Sequence, residues 1–173
     1  MPPGVLRPAF PDTDPLPLDE NGLYILLFDH WNGRHFDWEL YLATSTESGT
    51  IFQVVYPGPY PHCQSYIFDA RSSTNERRSA ALIVAVKVAV MEPILHEALH
   101  IRLARIPIGH STRFRGGSPR RVWVMEALYA LDDEGYIKLT NSIACVELEA
   151  LTAALINKNY ERRSVIQSSY SLM

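Results

Sequence analysis

Two histidines four positions apart, His96 and His100 in HEALH (96–100), bracket a glutamate, Glu97. On a helix that spacing stacks both imidazoles one turn apart, where they can share a zinc ion while the glutamate acts as general base. A zinc hydrolase also needs a third ligand. Leu103 and Ile106 occupy the places where a glycine and a third histidine would follow, and Glu126 is the distant substitute. The segment between Pro93 and Pro107 is short. At about 100° per residue, Leu95, Leu99, Leu103 and Ile106 form its apolar face, with His96 and His100 at the rim. The segment is therefore read first as an amphipathic helix with histidines at its edge. A zinc hydrolase through His96, Glu97 and His100 is the alternative.

A second group of reactive types surrounds Asn32-Gly33, the strongest short hairpin signal, because both central residues of a type I′ turn need positive φ. A two-residue turn there pairs His30 with His35, Phe28 with Asp37, Leu26 with Glu39 and Tyr24 with Tyr41. Ile25, Leu27, Phe36, Trp38 and Leu40 fall on the opposite, apolar face. The mixed face reads either as half-solvated or as the polar wall of a pocket, where histidine chemistry is available.

Arginines make the third group. Arg102, Arg105, Arg113, Arg115, Arg120 and Arg121 lie between Ala98 and Met125, a stretch with no acid. Arg120 and Arg121 fall in the first turn of an expected helix, where the dipole disfavours a cation by about 0.3–1 kcal/mol. An acid from elsewhere, or a bound carboxylate, is needed to compensate.

The elements that would hold these groups follow from periodicity. Strands are expected at 22–31, 34–43, 50–56 and 64–71, and AALIVAVKVAVM (80–91) reads as a buried strand. Helices follow: one opened by Pro93, one capped by Ser118-Pro119 and stopped at Gly135, and a last one from Ile143. An antiparallel meander followed by helices is an α+β domain. Residues 1–20, rich in proline, are expected as an extended arm, 21–165 as the domain and 166–173 as a tail.

The 173 residues fit one domain with its own core. Net charge is −3, which argues against a nucleic-acid partner. The longest apolar run, about 12 residues with Lys87 inside it, falls short of the roughly 20 that span a bilayer. No signal-peptide core is present and the two cysteines, Cys63 and Cys145, make no disulfide framework. The expectation is a cytoplasmic protein with no membrane or nucleic-acid partner, and a homodimer is open.

DWELYLATSTESGTIFQV and RRVWVMEALYAL together carry a resemblance. They resemble two segments of the lecithin retinol acyltransferase-like enzymes, a permuted branch of the NlpC/P60 papain-like superfamily. Trp38, Leu40 and Tyr41 match that family's first catalytic strand, and Trp123, Glu126 and Leu128 its nucleophile helix. The resemblance implies a permuted papain-like architecture in which strand and helix meet. It also implies that Asp37, Gln53 and Arg120 stand where the family has histidine, histidine and cysteine. None of the three supports thioester chemistry, and Asp37 becomes the expected partner of Arg120. The expected function is a cofactor-independent isomerase or cyclase, of which a pericyclic natural-product cyclase is one form. Its site is Asp37, Gln53 and Arg120, with His35, Trp38, Tyr41, Arg121, Trp123 and Tyr129 binding a mostly apolar substrate that bears a carbonyl or carboxylate. A non-catalytic scaffold is the remaining alternative.

Overall fold

The computed structural model describes residues 14–29, 35–58 and 65–173. GLYILLFD forms strand β1 (Gly22–Asp29), buried from Gly22 to Phe28 on both faces. Such a run suits a central strand, and β1 sits at the centre. It is antiparallel to β2 (Phe36–Ala43) on one side and to β5 (Leu82–Val90) on the other. With β3 (Gly49–Val55), β4 (Ile67–Ser73) and β6 (Ser164–Gln167) the sheet runs β4-β3-β2-β1-β5-β6. The first four strands are a meander. The chain then crosses through a 3-10 turn at Glu76–Arg78 to the far side of β1.

Helices α1 (His96–Ala104), α2 (Pro119–Asp133) and α3 (Ile143–Asn159) follow. At α2 the Ser118 side chain accepts from the Arg121 backbone N–H and Pro119 occupies the first turn. Gly135, at φ 79°, ends that segment in the left-handed region that glycine tolerates. The architecture is thus α+β with a mostly antiparallel sheet.

Both sheet faces are covered. On the helix side, Ile25, Leu27, Trp38, Leu40, Phe52 and Val54 pack against Leu99, Leu103, Trp123, Leu128 and Val146. On the other side, Leu16 and Leu18 of the N-terminal arm lie over Tyr24, Leu26, Phe28, Tyr41 and Ile51. The arm is tied down by the Leu16 N–H, which donates to the Arg77 carbonyl at 3.0 Å. The face expected to be half-solvated is therefore largely a second core. Gly49 is required here: a Cβ would lie 2.3 Å from Tyr41 Cζ, so only glycine lets that ring cross β3.

The C-terminal residues differ from the expected tail. Ser164–Gln167 form β6, parallel to β5, because Asn157 on α3 donates to both the Ile83 carbonyl (3.0 Å) and Ser164 Oγ (2.6 Å). Ser168 is buried and donates to Glu149 at 2.6 Å. A boundary at 165 would cut through this strand. Among the described residues no helix is long and apolar enough to cross a membrane.

Candidate functional site

The β2–β3 ladder runs from Ala43/Gly49 to Leu40/Phe52 and stops. Beyond it, β2 stays paired with β1 as far as Phe36, and β3 stays paired with β4 as far as Val55. The sheet therefore opens as a fork. Asp37 and Glu39 lie on one prong and Gln53 on the other. By the two-residue period of a strand they share the face of Tyr41 and Ile51, the side covered by the arm.

Arg120 reaches this fork from the first turn of α2, which packs on the opposite face of β2 and β3. Its Nη1 donates to Asp37 Oδ2 at 2.5 Å, with both side chains about a quarter exposed. A helix-side guanidinium thus meets a carboxylate near the start of β2, beyond the last β2–β3 rung. The pair also answers the cation at the helix N-terminus. Gln53, buried, donates from Nε2 to Asp69 Oδ2 on β4 at 3.1 Å.

Between them sits Glu39, 8% exposed, whose Oε2 is buried with no hydrogen-bond partner. Its cross-strand neighbour is Leu26, and Phe28 stands opposite Asp37. The Glu39 carboxyl is pushed up to about 7, by burial first and by Glu76 in the 3-10 turn next. Arg120 and Arg71 pull it down, and Asp37 adds a smaller upward push. Tyr41 is pushed up to about 12, mainly by burial, so its phenol stays neutral. The fork thus combines an ion pair, a buried amide and a carboxyl that exchanges its proton near neutral pH, beside apolar and aromatic side chains. Such a set can bind a carbonyl, stabilise charge on its oxygen and move a proton.

No family model, curated protein or solved structure matches this chain. The chemistry of the fork rests on its own residues.

The other expected site residues divide. Trp38 and Trp123 both lie in the helix-side core, so strand and helix do meet there. Trp123 packs on Phe68 with ring centroids 5.7 Å apart, and its Nε1 is buried without a partner. His35 is exposed just before β2. Arg121 is taken up elsewhere: Nε and Nη2 grip the Glu147 carboxylate on α3, and Nη1 donates to the Gly116 carbonyl at 2.9 Å. Tyr129 lies on the outer side of α2 beneath the Arg113 guanidinium, 4.1 Å away. Neither joins the fork, because each is already held by a partner that the chain supplies.

Of the HEALH histidines, one holds a backbone carbonyl and the other, exposed, lies beside two phenyl rings. His96 Nε2 hydrogen-bonds the Met91 carbonyl at 2.9 Å. The His100 ring sets its edge against Phe52 and Phe68, at 5.6 and 6.1 Å. Glu126 is bonded to Ser111 and Arg113. Among the described residues no three His, Cys, Asp or Glu side chains gather as a metal site requires. His30, the Asn32-Gly33 turn, His62 and Cys63 lie outside the described residues.

The acids missing from the arginine segment arrive from other elements. Arg102 forms a two-pronged pair with Glu134, Arg113 pairs with Glu126, Arg120 with Asp37 and Arg121 with Glu147. A separate open cleft of about 350 Å³ lies over the 109–117 loop, lined by His110, Phe114, Arg115 and Val122 among others. None of the expected site residues lines it.

Glu39 is the fork residue that sequence reasoning placed on this face without singling it out. The visible signal was an acid on a strand between aromatic and aliphatic residues. The arm residues Leu16 and Leu18 that cover this face, and Glu76 that acts on the carboxyl, come from segments whose positions the strand pattern does not encode.

Proposed function

We propose that the fork is the site of a small cofactor-independent enzyme. It binds a mostly apolar small molecule bearing a carbonyl or carboxylate and isomerises or cyclises it. The observation that carries this reading is the Arg120–Asp37 contact across the opened strands, next to a buried carboxyl and a buried amide. Arg120 polarises the substrate oxygen, and Asp37 fixes the guanidinium in place. Gln53 is held by Asp69 and presents its amide at the other prong. Donors preorganised in a partly dry site act more strongly than in water. Holding a flexible substrate in one folded conformer lowers the barrier further. A pericyclic cyclisation, which needs neither nucleophile nor redox group, is the narrowest form of the reading. The resemblance to permuted papain-like enzymes supports the same corner, where strand and helix bring Asp37 and Arg120 together in place of a histidine and a thiol.

The test is turnover of a panel of apolar unsaturated ketones and acids, followed as products of unchanged mass by chromatography and NMR. Arg120→Ala, checked for folding by circular dichroism, is expected to lose about a hundredfold in turnover, the scale of one lost oxyanion donor. A folded variant with unchanged turnover overturns the proposal.

A further inference from the structure

We infer that Glu39 is the proton shuttle of this site, and that the substrate class is an apolar β,γ-unsaturated ketone undergoing a 1,3-proton shift. This inference rests on the reading of the fork as a small-molecule site and narrows its chemistry.

Three observations lead to it. First, Glu39 Oε2 is buried and bonded to nothing, although the chain supplies partners for the neighbouring polar groups: Asp37 has Arg120 and Gln53 has Asp69. A buried carboxyl oxygen without a partner is costly and calls for an explanation. Second, Glu39 stands directly beyond the last β2–β3 rung, Leu40/Phe52, where the backbone pairing of the two strands gives out. Third, its surroundings are mixed in a useful way. Leu26, Phe28 and Tyr41 give an apolar wall, and the charged groups that act on it come from four elements. They are Asp37 on β2, Arg71 on β4, Glu76 on the 3-10 turn and Arg120 on α2. The two acids oppose a second negative charge and the two arginines limit that effect, which leaves the carboxyl able to release and recover a proton around neutrality.

The chemistry closes on itself. The ionised Glu39 removes a proton from the carbon between the carbonyl and the double bond. The C–H electron pair becomes a carbon–carbon double bond, and negative charge moves to the carbonyl oxygen, where the Arg120 guanidinium meets it. The protonated Glu39, whose carboxyl proton exchanges with solvent, then delivers a proton either to the γ carbon, closing the electrons back to the conjugated ketone, or to the α carbon, restoring the starting ketone. Proton count and oxidation state are unchanged, so no cofactor or co-reactant is required. Positioned proton transfer of this kind contributes about 10²–10⁴ in rate.

The experiment uses the full chain with cyclohex-3-en-1-one as probe in deuterated water. NMR follows deuterium entering the α position and formation of the conjugated isomer, and titration of the protein's amide resonances gives binding. The wild type is expected to bind the ketone, exchange and isomerise, with a rate that rises as pH increases through the Glu39 titration. Glu39→Gln is expected to keep binding and lose at least about a hundredfold in both exchange and isomerisation. Should that variant not fold, Glu39→Asp keeps the carboxyl but withdraws it by one methylene, and the same loss is expected. A wild type that binds without exchange, or a folded Gln or Asp variant with wild-type rates, overturns the shuttle while leaving the fork as a binding site. Absence of binding to the wild type overturns both readings.

Discussion

A lone buried carboxyl makes a measurable demand on stability, independent of any substrate. Replacing Glu39 by Gln removes the ionisable proton while keeping the shape. In the folded chain the carboxyl is pushed from its ordinary 4.5 to about 7, with burial the largest cause and Glu76 next. The unfolded chain titrates at the ordinary value. Below pH 4.5 Glu39 is neutral in both states and costs nothing extra. Between 4.5 and 7 the folded state alone keeps the proton, so stability falls as pH rises. Above 7 both states are ionised and the full cost is present. At about 1.36 kcal/mol per pH unit, that cost is about 3 kcal/mol. For a chain of this length, about 2–4 °C in Tm accompanies each kcal/mol, so the expected change is about 6–12 °C. The assay is thermal unfolding of wild type and Glu39→Gln from pH 4.5 to 8. The Tm difference between them should move in favour of the variant by that amount, with most of the movement between pH 5 and 7. The absolute offset at low pH is free to take either sign, since the new amide must find its own partners. Curves that stay parallel across the range would refute the burial and isolation of Glu39, and with them the basis for its titration near neutrality.

Two further outcomes test the framework around the fork. Gly49→Ala places a Cβ 2.3 Å from Tyr41 Cζ and 2.4 Å from the Leu42 carbonyl oxygen. The backbone contact cannot be relieved by a rotamer, so a loss of about 2–3 kcal/mol in urea unfolding is expected; an unchanged midpoint would contradict the tight crossing of that ring over β3. His100→Ala removes the edge contacts to Phe52 and Phe68 and is expected to cost about 0.5–1.5 kcal/mol. A chelator should leave the wild-type Tm unchanged, and a drop on chelation would show that HEALH holds a metal rather than a packing contact.

The hairpin register was legible to the residue. Asn32-Gly33 with alternating side chains implies Phe28 opposite Asp37, Leu26 opposite Glu39 and Tyr24 opposite Tyr41, and those pairs are present. Local turn chemistry and a period of two are enough for that. Helix α2 was equally legible, since Ser118-Pro119 and Gly135 mark its ends by mechanisms confined to a few residues. Long-range placement was not. Nothing in AALIVAVKVAVM says whether it extends the meander beside β4 or returns beside β1, and it does the latter. The short β6 escaped notice because four residues, Ser164–Gln167, carry too little pattern. In the site, Asp37 and Arg120 were brought forward by a resemblance, and the structure joins them. Arg121 and Tyr129 were brought forward by the same segment, yet Glu147 and Arg113, which hold them, come from other parts of the chain.

The distribution of paired and unpaired charges separates scaffold from site. Arg102–Glu134 and Arg121–Glu147 join one helix region to another, each with two nitrogens on one carboxylate. Such forks fix geometry and leave no carboxyl oxygen in want of a donor. The strand fork is different. Packing alone would favour an aliphatic residue at position 39, continuing Leu26, Tyr41 and Ile51 into one apolar layer. A glutamate there gives up about 3 kcal/mol above neutrality and gains no hydrogen bond at Oε2 in return. The ladder could also have continued past Leu40/Phe52 to hide the end of β2, and it does not. A chain that supplies acids for four of its clustered arginines does not lack partners in general. The unpartnered carboxyl and the missing rungs coincide at one place, beside a guanidinium that crosses from the opposite layer. The proposed ligand carbonyl between the prongs would account for all three features together, whereas packing requires none of them.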